Sequence, residues 1–527
     1  MAAPFSMDEA RAALGDAQSV VDACARRIGG NGGVDANQVV AYDLAHAAAA
    51  VACARGAADY GDRGDVEARL AAAFVADAIH DVASRVTGRE GAWGVEPGAL
   101  DKALRLTAAG RDPEFMASLC GEEGPRHLGD DMQLVADTFR RLAEDKVRPV
   151  AEHIHRTNSD IPEDVISGLA ELGTFGLSVP EQYGGWATGS EDEYVSMVVA
   201  TEELSRGSLG VGGSLITRPE ILTRALLKGG TEEQKAEWLP KLATGEVMNA
   251  VAVTEPDFGS DVAGVKVTAV RDGDDYVVNG VKTWCTFAAR ADVLMLLVRT
   301  GAPDSGHRGL SLLISPKERG DGHGFVLTQD GGGKLEGRPI DTLGYRGMHS
   351  YELAFENWRV PAANLIGLDD GLGKGFYMQM AGFENGRLQT AARAIGVMQA
   401  AYEAALDYAS NRVVFGEPIV NYQLTRAKLT KMAAIIQAAR QFSYHVAHLM
   451  AKGEGSMEAR LVKAYVCRAA EWVTREALQI HGGMGYAEEF PVSRYFVDAR
   501  VLSIFEGADE TLALKVIARR LTEAAAS

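Results

Sequence analysis

The sequence predicts an α+β multidomain protein, with a central β-domain between helical segments and a further helical extension at the N-terminus. The chain has 527 residues, which is too long for one hydrophobic core and indicates several domains. Apolar residues recur at helical spacing before the β-domain and again from Gly371 onward. Between these stretches lie short apolar and β-branched runs separated by Gly- and Pro-containing turns, a pattern typical of strands.

Four segments follow from these patterns. We expect a helical extension over residues 1–120, a helical domain over 130–245, a β-domain over 246–367 and a C-terminal helical bundle over 368–527. The linker after the extension is predicted at the Gly- and Glu-rich residues 121–125. The β-domain is assigned on its strand-like runs, which are Tyr276–Val278, Val293–Val298, Leu310–Ile314 and Glu352–Phe355.

The N-terminal extension contains an echo of the C-terminal segment. Residues Glu67–Val75 (EARLAAAFV) resemble Glu458–Val466 (EARLVKAYV), and an Ala-rich helical pattern precedes each of them. We infer that the extension is a partial copy of the C-terminal bundle and packs against it, helix against helix. The alternative is that two Ala-rich helices look alike by chance. The extension has no counterpart of Glu506, which is discussed below, so we assign no chemistry to it.

Composition and charge exclude several function classes. The formal net charge is −19, which argues against binding to nucleic acid, since that needs a basic face, and against docking on an anionic membrane. The apolar run Val293–Val298 is of strand length, too short for a membrane span. The N-terminus has no signal pattern, and the five cysteines are scattered, without the spacing of a disulfide framework or a metal site. A reducing, cytoplasmic location is therefore expected.

Two motifs organise the predicted β-domain. Residues 251–261 read VAVTEPDFGSD, in which a strand is expected to end at Pro256 because proline cannot donate to a sheet ladder. Residues 279–287 read NGVKTWCTF, where Asn279-Gly280 favours a hairpin turn. The following strand is expected to present Trp284 and Thr286 on one face. A Trp ring beside a hydroxyl can stack on an aromatic heterocycle, although an ordinary hairpin with a core Trp is the alternative.

Together, V-T-E-P-x-x-G-S-D and N-G-x-K-x-W-x-T resemble the central domain of the acyl-CoA dehydrogenase family, and the resemblance extends over about residues 130–520. It implies a helical domain, a β-barrel or sandwich domain and a four-helix bundle. It also implies an FAD cofactor, an acyl-CoA substrate, a homodimer or homotetramer, and electron-transfer flavoprotein as acceptor. In the implied reaction a base removes the proton next to the thioester carbonyl, and the flavin accepts a hydride from the next carbon.

The base implied by this resemblance is Glu506, in the segment Ile504-Phe-Glu-Gly507. A carboxylate among apolar neighbours is expected to have a raised pKa, which would make it a better base near neutral pH. A glutamate before a glycine is otherwise a common solvated loop residue. The segment departs from the family after Gly507, because Ala508-Asp509-Glu510 replaces the usual Thr-Ser-Gln, so the contacts there with the adenosine diphosphate part of FAD must differ.

The resemblance implies further site residues. Those expected to contact FAD are Val253, Thr254, Ser260, Trp284, Thr286, Arg412, Phe415, Gln423, Gln479 and Gly483. Those expected to contact the acyl-CoA are Ser260, Phe383, Glu384, Arg387 and Gly507. An arginine can bind a diphosphate in a bidentate manner, which suits Arg412. Each residue taken alone has an ordinary structural interpretation, such as a helix break at Gly483 or an exposed helix cation at Arg412.

The acyl group is predicted from the extension, the segment Leu343–Tyr351 and the Glu-Gly-Ala sequence at the base, which look most like family members that oxidise (2S)-methylsuccinyl-CoA to mesaconyl-CoA in the ethylmalonyl-CoA route. That substrate carries a distal carboxylate, which needs a cation or several donors when buried. Arg218, Arg346 and His349 are the candidates. The alternatives are a short- or branched-chain acyl-CoA dehydrogenase, an acyl-CoA oxidase and a non-catalytic flavin- or CoA-binding scaffold.

Overall fold

The predicted helical segments at the two ends of the chain form one structural unit. The computed structural model describes residues 2–320 and 323–526, and its first unit comprises residues 2–135 and 390–526, whereas residues 136–389 form the second. The extension is helical, as predicted. Its helices are Met7–Gly29, Gly33–Ala36, Gln38–Gly61, Asp65–Val86, Glu90–Trp93, Asp101–Gly110 and Pro113–Ser118.

Helices also make up the C-terminal part of the first unit. The helix Gly375–Asn411 begins in the second unit and continues into the first. The remaining helical segments are Ile419–Asn421, Gln423–Ala451, Ser456–Ile480, Gly482–Gly485, Val492–Leu502, Asp509–Thr511, the π-helical Leu512–Ala518, and Arg519–Ala526. A two-stranded ribbon, Val413–Val414 with Glu417–Pro418, precedes them. Within the described residues, no helix combines the length and apolar character needed to cross a membrane.

The extension packs on the C-terminal helices, which confirms the packing expected from the echo. The helices Gln38–Gly61 and Asp65–Val86 both lie against Gln423–Ala451. The two echoing segments fall in Asp65–Val86 and Ser456–Ile480, and their equivalent aromatic residues touch: the rings of Phe74 and Tyr465 meet edge to face with centroids 5.6 Å apart. Contacts of this kind bury the apolar faces of both helices.

The predicted linker is bound to the helices of its own unit. Gln437 Nε2 donates to the carbonyl oxygens of Glu123 (2.5 Å) and Gly124 (2.8 Å). Tyr60 Oη donates to Pro125 O at 3.0 Å. The backbone between the extension and the next helix is therefore held by side chains from both parts of the unit.

The second unit contains the predicted helical domain and the β-domain. Its first helix is Asp130–Leu142, of which residues 130–135 are assigned to the first unit. The helical segments that follow are Ala143–Val147, Arg148–Thr157, Glu163–Glu171, Thr174–Gly176, Glu181–Tyr183, Glu191–Gly207, Leu209–Gly213, Thr217–Gly229 and Glu232–Thr244. The last of these begins at a capping box formed by Thr231 and Gln234. It buries Trp238 and Leu239 in the core that supports the sheet.

The β-domain is one mixed sheet. Its strands are β1 Asn249–Ala252, β2 Thr268–Asp272, β3 Asp275–Thr286, β4 Val293–Arg299, β5 Leu310–Pro316, β6 Phe325–Thr328, β7 Lys334–Ile340 and β8 Ser350–Pro361. The order is β1-β4-β2-β3-β8-β7-β6, with β5 beside β4. The four predicted strand-like runs all lie in these strands. Short helical segments Val262–Gly264, Gly306–Gly309, Ala362–Asn364 and Leu368–Gly371 complete the unit.

The predicted hairpin turn at Asn279-Gly280 is wrong. Strand β3 runs through both residues, and the hairpin with β2 turns earlier, at Gly273, whose φ is 61°. Pairing with β8 along the length of β3 outweighs the local preference of Asn-Gly for a turn. Strand β1 also ends at Ala252, earlier than Pro256 alone requires.

Asn279-Gly280 instead forms a bulge opposite β8. The register between β3 and β8 shifts at this point, and Asn279 Oδ1 accepts a hydrogen bond from the Asn357 N–H at 2.8 Å. Gly280 has a φ of 132°, and a Cβ there would lie 2.8 Å from Val267 Cγ2. The glycine is therefore required by a close approach inside the sheet.

A buried ion pair joins the two motifs of the β-domain. Lys282 Nζ lies 2.8 Å from Glu255 Oε1 and donates to Val253 O at 2.9 Å, with the lysine side chain 0% exposed. Glu255 also accepts the backbone N–H groups of Lys266 (2.6 Å) and Val267 (2.8 Å). Burial lowers the pKa of Lys282, and Glu255 opposes that shift. The pair fixes the end of β1 to the middle of β3.

We predict that Lys282→Met destabilises the β-domain by about 3–5 kcal/mol, because it leaves the buried Glu255 carboxylate without its cation. The thermal midpoint, measured by calorimetry, and the flavin content of the purified protein should both fall. The double variant Glu255→Gln/Lys282→Met should recover part of the loss, since it removes the uncompensated charge. A midpoint for Lys282→Met equal to that of the wild type would contradict the assignment.

Candidate active site

Glu506 lies at a strained turn between two helical segments. Helix Val492–Leu502 ends four residues before it, and Asp509–Thr511 begins three residues after it. Glu506 has a φ of 55° and Gly507 a φ of 102°. The left-handed conformation is unfavourable for a glutamate by about 1–3 kcal/mol and persists only where the surroundings impose it. Strain of this kind clusters at functional sites, which supports a role for the side chain.

A buried lysine holds this turn. Lys463, on helix Ser456–Ile480, is 1% exposed and donates through Nζ to Phe505 O (2.9 Å) and to Gly507 O. These two carbonyl groups flank Glu506. The Asp509 N–H closes the turn by donating to Ser503 O at 3.0 Å. An ammonium bonded on both sides of the glutamate therefore imposes the left-handed conformation.

The surroundings of the Glu506 carboxylate differ from the expected apolar ones. Its side chain is 11% exposed, and Oε1 lies 4.0 Å from Nη2 of Arg393. The Arg393 guanidinium stacks on Phe505, 4.9 Å from the ring centroid, and donates to Thr390 Oγ1 at 3.1 Å. Among the described residues, Glu506 Oε2 is buried and accepts no hydrogen bond. A buried carboxylate oxygen without a donor is suited to accept a proton from a ligand.

The FAD candidates of the first unit lie in exposed segments. Arg412 and Gln423 are exposed at either end of the ribbon segment, and Phe415 is 96% exposed with a φ of 53°. Gln479 and Gly483 are exposed at the end of helix Ser456–Ile480. A fully exposed aromatic ring on a left-handed backbone is unfavourable in an isolated chain, so this surface suits contact with a ligand or another chain.

His481 explains the structure of the Gln479–Gly483 segment. Its Nδ1 lies 2.8 Å from Ala477 O, and its ring stacks on Tyr408 with centroids 4.3 Å apart. Phe490 packs against both rings. Burial lowers the pKa of His481. The histidine is therefore a helix-end residue, and it orients the exposed glycines that follow.

In the second unit, the FAD candidates of the two β-domain motifs are brought together. The Thr283 N–H donates to Thr254 O at 2.8 Å, which ties the end of β1 to the residue before Trp284. Trp284 is 56% exposed with a φ of 56°, and Thr286 Oγ1 lies 3.0 Å from Ser350 Oγ. Val253 is buried, Thr254 is half-buried, and Ser260 is exposed on the following loop.

A second register shift with β8 surrounds Trp284. It breaks the regular alternation from which Trp284 and Thr286 were expected on one face. Even so, both side chains are more open than Thr283 and Cys285 beside them. The indole is presented to the outside of the sheet by strained backbone.

The acyl-CoA candidates Phe383 and Arg387 are half-buried on helix Gly375–Asn411. Glu384 is on the same helix, but its side chain lies outside the described residues. Gly507 is the exposed glycine after Glu506, and Ser260 is exposed on its loop in the second unit. In the second unit the helix is anchored by a buried carboxylate, since Glu220 accepts hydrogen bonds from Asn385 Nδ2 (3.2 Å) and Gln389 Nε2.

The three cation candidates for a distal carboxylate already have partners. Arg218 is buried and donates to Ser214 O (3.2 Å) and Thr217 Oγ1 (3.3 Å). Arg346 donates to Thr342 O (3.1 Å) and His155 O (2.7 Å). His349 Nε2 lies 3.1 Å from Asp160 Oδ1, and this contact lowers the pKa of Asp160.

The segments that carry Arg218 and Arg346 pack against each other. A Cβ at Gly210, in the π-helical turn before Arg218, would lie 2.4 Å from Arg346 O. The Arg346 loop is itself strained, with φ values of 59° at Tyr345 and 41° at His349. The close approach of this loop therefore requires glycine at position 210 on the facing turn.

Several residues that shape these sites were missed from the sequence. Lys282 and Glu255 stand inside the two β-domain motifs, so their signal was available in the T-E-P and N-G-x-K spacings. Lys463 lies inside the C-terminal half of the echo, where the extension has Ala72. Arg393 had no local signal, because its place beside Glu506 depends on tertiary packing.

Each unit by itself contains groups that suit part of a flavin dinucleotide. In the second unit, exposed Trp284 offers an aromatic surface and Thr286 a hydroxyl. In the first unit, exposed Phe415 offers an aromatic surface and Arg412 a planar cation suited to a diphosphate. The strain at both aromatic residues and the unbonded Glu506 Oε2 are independent structural features at predicted positions.

Comparisons with known proteins identify the family. Family models match in chain order: acyl-CoA dehydrogenase N-terminal domain over residues 129–246, middle domain over 250–358 and C-terminal domain over 373–522. A (2S)-methylsuccinyl-CoA dehydrogenase from Cereibacter sphaeroides is 43% identical over 442 residues, covering 82% of this chain and 78% of the relative. An acyl-CoA dehydrogenase from Bacillus subtilis is 37% identical over 73% of this chain and 96% of the relative.

Solved structures agree. A chain from a structure described as an electron transferring flavoprotein of Acidaminococcus fermentans matches with a TM-score of 0.67 at 30% identity, over 75% of this chain and 99% of that one. A glutaryl-coenzyme A dehydrogenase in complex with glutaryl-CoA matches with a TM-score of 0.67 at 29% identity, over 73% of this chain and 94% of that one. A glutaryl-CoA dehydrogenase from Mycobacterium smegmatis in complex with FADH2 matches with a TM-score of 0.64 at 26% identity, over 74% of this chain and 94% of that one. The chain therefore belongs to the acyl-CoA dehydrogenase family of FAD-dependent oxidoreductases.

Proposed function

We propose that this protein oxidises (2S)-methylsuccinyl-CoA to mesaconyl-CoA, with Glu506 as the base and FAD as the hydride acceptor. The observation that carries the assignment of the base is the Glu506 turn. A nearly buried carboxylate is held on strained backbone, with one oxygen that accepts no hydrogen bond among the described residues.

In the proposed reaction, Glu506 removes the proton from the carbon next to the thioester carbonyl. Lys463 holds the backbone of the turn that carries the Glu506 carboxylate. The backbone N–H of Glu506 donates to the thioester oxygen as enolate charge develops. FAD, when bound, supplies the two-electron acceptor that no side chain can provide. Arg393, 4.0 Å from Oε1, fixes the carboxylate before the reaction.

The choice of acyl group is supported by similarity and by substrate chemistry. The relative that is 43% identical is a methylsuccinyl-CoA dehydrogenase, and a structural neighbour holds glutaryl-CoA, which also carries a distal carboxylate. A buried carboxylate of this kind needs a cation or several donors. We propose that Arg218, Arg346 or His349 supplies it, and we favour Arg218, which is buried near the start of helix Thr217–Gly229.

We also propose that the other predicted FAD and acyl-CoA contacts serve those ligands, that the working form is a homodimer or homotetramer, and that electron-transfer flavoprotein reoxidises the flavin. Exposed apolar side chains on the ribbon and near Gly483, namely Val413, Phe415, Leu424, Met484 and Tyr486, suit an interface with a second copy. The neighbour described with an electron transferring flavoprotein supports the choice of acceptor.

We expect Glu506→Gln to lower the rate constant of flavin reduction by acyl-CoA by about 10²–10⁴-fold, the range for loss of a general base. Amide and carboxylate are nearly equal in size, so the turn and the flavin content should be retained. Anaerobic stopped-flow absorbance measures the rate. Glu523→Gln, an exposed carboxylate on helix Arg519–Ala526, is the matched control. If Glu506→Gln reduced its flavin as fast as the control, Glu506 would not be the base.

We expect loss of the distal-carboxylate ligand to change substrate choice. Arg218→Met should lower kcat/KM for methylsuccinyl-CoA by about 30-fold or more relative to butyryl-CoA, because a buried charge loses its partner. Arg346→Met and His349→Gln serve as matched comparisons in the same assay, with folding checked by flavin content. For any one of these residues, equal losses on both substrates would reject the role. Wild-type preference for butyryl-CoA would instead favour the short-chain alternative.

A further inference from the structure

The N-terminal extension reaches the segment that carries the base. Tyr42 Oη donates to Asp509 Oδ2 at 2.5 Å, and His46 Nε2 lies 3.2 Å from the same oxygen. Tyr42 and His46 are one turn apart on helix Gln38–Gly61, so both point to the same place. Asp509 is three residues beyond Glu506, in the part of the turn that departs from the family pattern.

This contact is buried, and it places two side chains of the extension against one carboxylate. The side chain of His46 is 3% exposed and that of Asp509 is 13% exposed. Burial lowers the pKa of His46. Burial raises the pKa of Asp509, but the contacts with His46 and Tyr42 outweigh it and leave that pKa below its ordinary value. Asp509 therefore faces the extension as a carboxylate, held between a phenol and an imidazole.

Burial, together with the bond to Asp509, also raises the pKa of Tyr42 to about 12. The phenol is therefore protonated at neutral pH and donates a hydrogen bond to Asp509. The Arg468 guanidinium lies over the Tyr42 ring, 5.7 Å from its centroid. Tyr42 and His46 themselves stack edge to face, with ring centroids 4.5 Å apart. Each group is fixed by another, so the contact is stiff.

Asp509 is connected directly to the base turn. Its backbone N–H donates to Ser503 O at 3.0 Å, which closes the loop Ser503–Ala508 around Glu506. Lys463 holds the same loop from the opposite helix by its bonds to the carbonyls of residues 505 and 507. A displacement of Asp509 would therefore open one of the two attachments that keep Glu506 in its left-handed conformation.

We propose that Tyr42 and His46 are positioning residues for the base: by binding Asp509 they fix the Ser503–Ala508 turn, which makes the N-terminal extension part of the active site. This rests on the proposed role of Glu506. The extension has no counterpart of Glu506, and it binds the turn at Asp509, in the sequence that departs from the usual Thr-Ser-Gln. It acts on where the carboxylate lies, without touching the substrate.

The test is a double-mutant cycle in the full-length holoenzyme. Tyr42→Phe removes one hydroxyl, and Asp509→Ala removes its acceptor. Each should lower the limiting rate constant of flavin reduction about tenfold, while the acyl-CoA concentration for half-saturation changes less than about twofold. The double variant should be no slower than Asp509→Ala, because Tyr42 acts only through that carboxylate. The assay uses whichever acyl-CoA the wild type oxidises fastest.

The matched control is Asp77→Asn. It breaks another pair between the extension and the C-terminal helices, Asp77 with Lys431 at 2.8 Å, that has no link to residues 503–509. It should leave the rate unchanged. Should Tyr42→Phe lose flavin or fail to fold, His46→Gln takes its place in the same cycle.

A second measurement does not depend on activity. Hydrogen–deuterium exchange of peptides covering residues 503–512 should be faster in Tyr42→Phe than in the wild type or in Asp77→Asn. Unchanged exchange and an unchanged rate, or additive losses in the cycle, would overturn the positioning role. If the wild type oxidises no acyl-CoA at all, the proposed function fails, and the exchange result alone decides whether the extension holds the turn.

Discussion

The structure of the turn that carries Glu506 depends on one buried ammonium group. A lysine enclosed by protein loses most of its hydration, and only strong acceptors compensate for that loss. Lys463 finds two of them in the carbonyl groups on either side of Glu506. The strain in the glutamate backbone and the burial of the lysine are thus two parts of one arrangement, because neither is favourable without the other. The position of Glu506 follows from helix Ser456–Ile480.

The β-domain uses the same principle. Lys282 is fully buried and donates to Val253 O and to Glu255, two positions before Trp284 adopts its left-handed conformation. In both places an enclosed cation fixes backbone next to a strained residue that was predicted to act on a ligand. This explains why each motif contains a charged residue that touches no ligand in the proposed mechanism. Glu255 and Lys282 support the site, and Trp284 and Thr286 are presented by it.

Local patterns in the sequence were sufficient for the element types. The strand runs and the capping box at Thr231 depend on neighbours close in sequence, whereas the role of Glu506 was implied by resemblance to a family and stays a prediction. The Asn279-Gly280 prediction failed because it used only local preference, whereas pairing along β8 decides the course of β3. Arg393 beside Glu506, and the partners of Arg218, Arg346 and His349, depend on contacts that no spacing rule encodes. The bond from Tyr42 to Asp509 joins residues 467 positions apart.

The packing of the two ends of the chain shows how an extension without a counterpart of Glu506 can reach the turn that carries it. Phe74 and Tyr465 occupy equivalent positions in the two echoing segments and touch each other. Two positions earlier in the echo, Lys463 aligns with Ala72. At this position only the C-terminal segment has the cation that holds the turn around Glu506. Helix Gln38–Gly61 of the extension lies against the residues that follow Glu506, where Tyr42 and His46 meet Asp509.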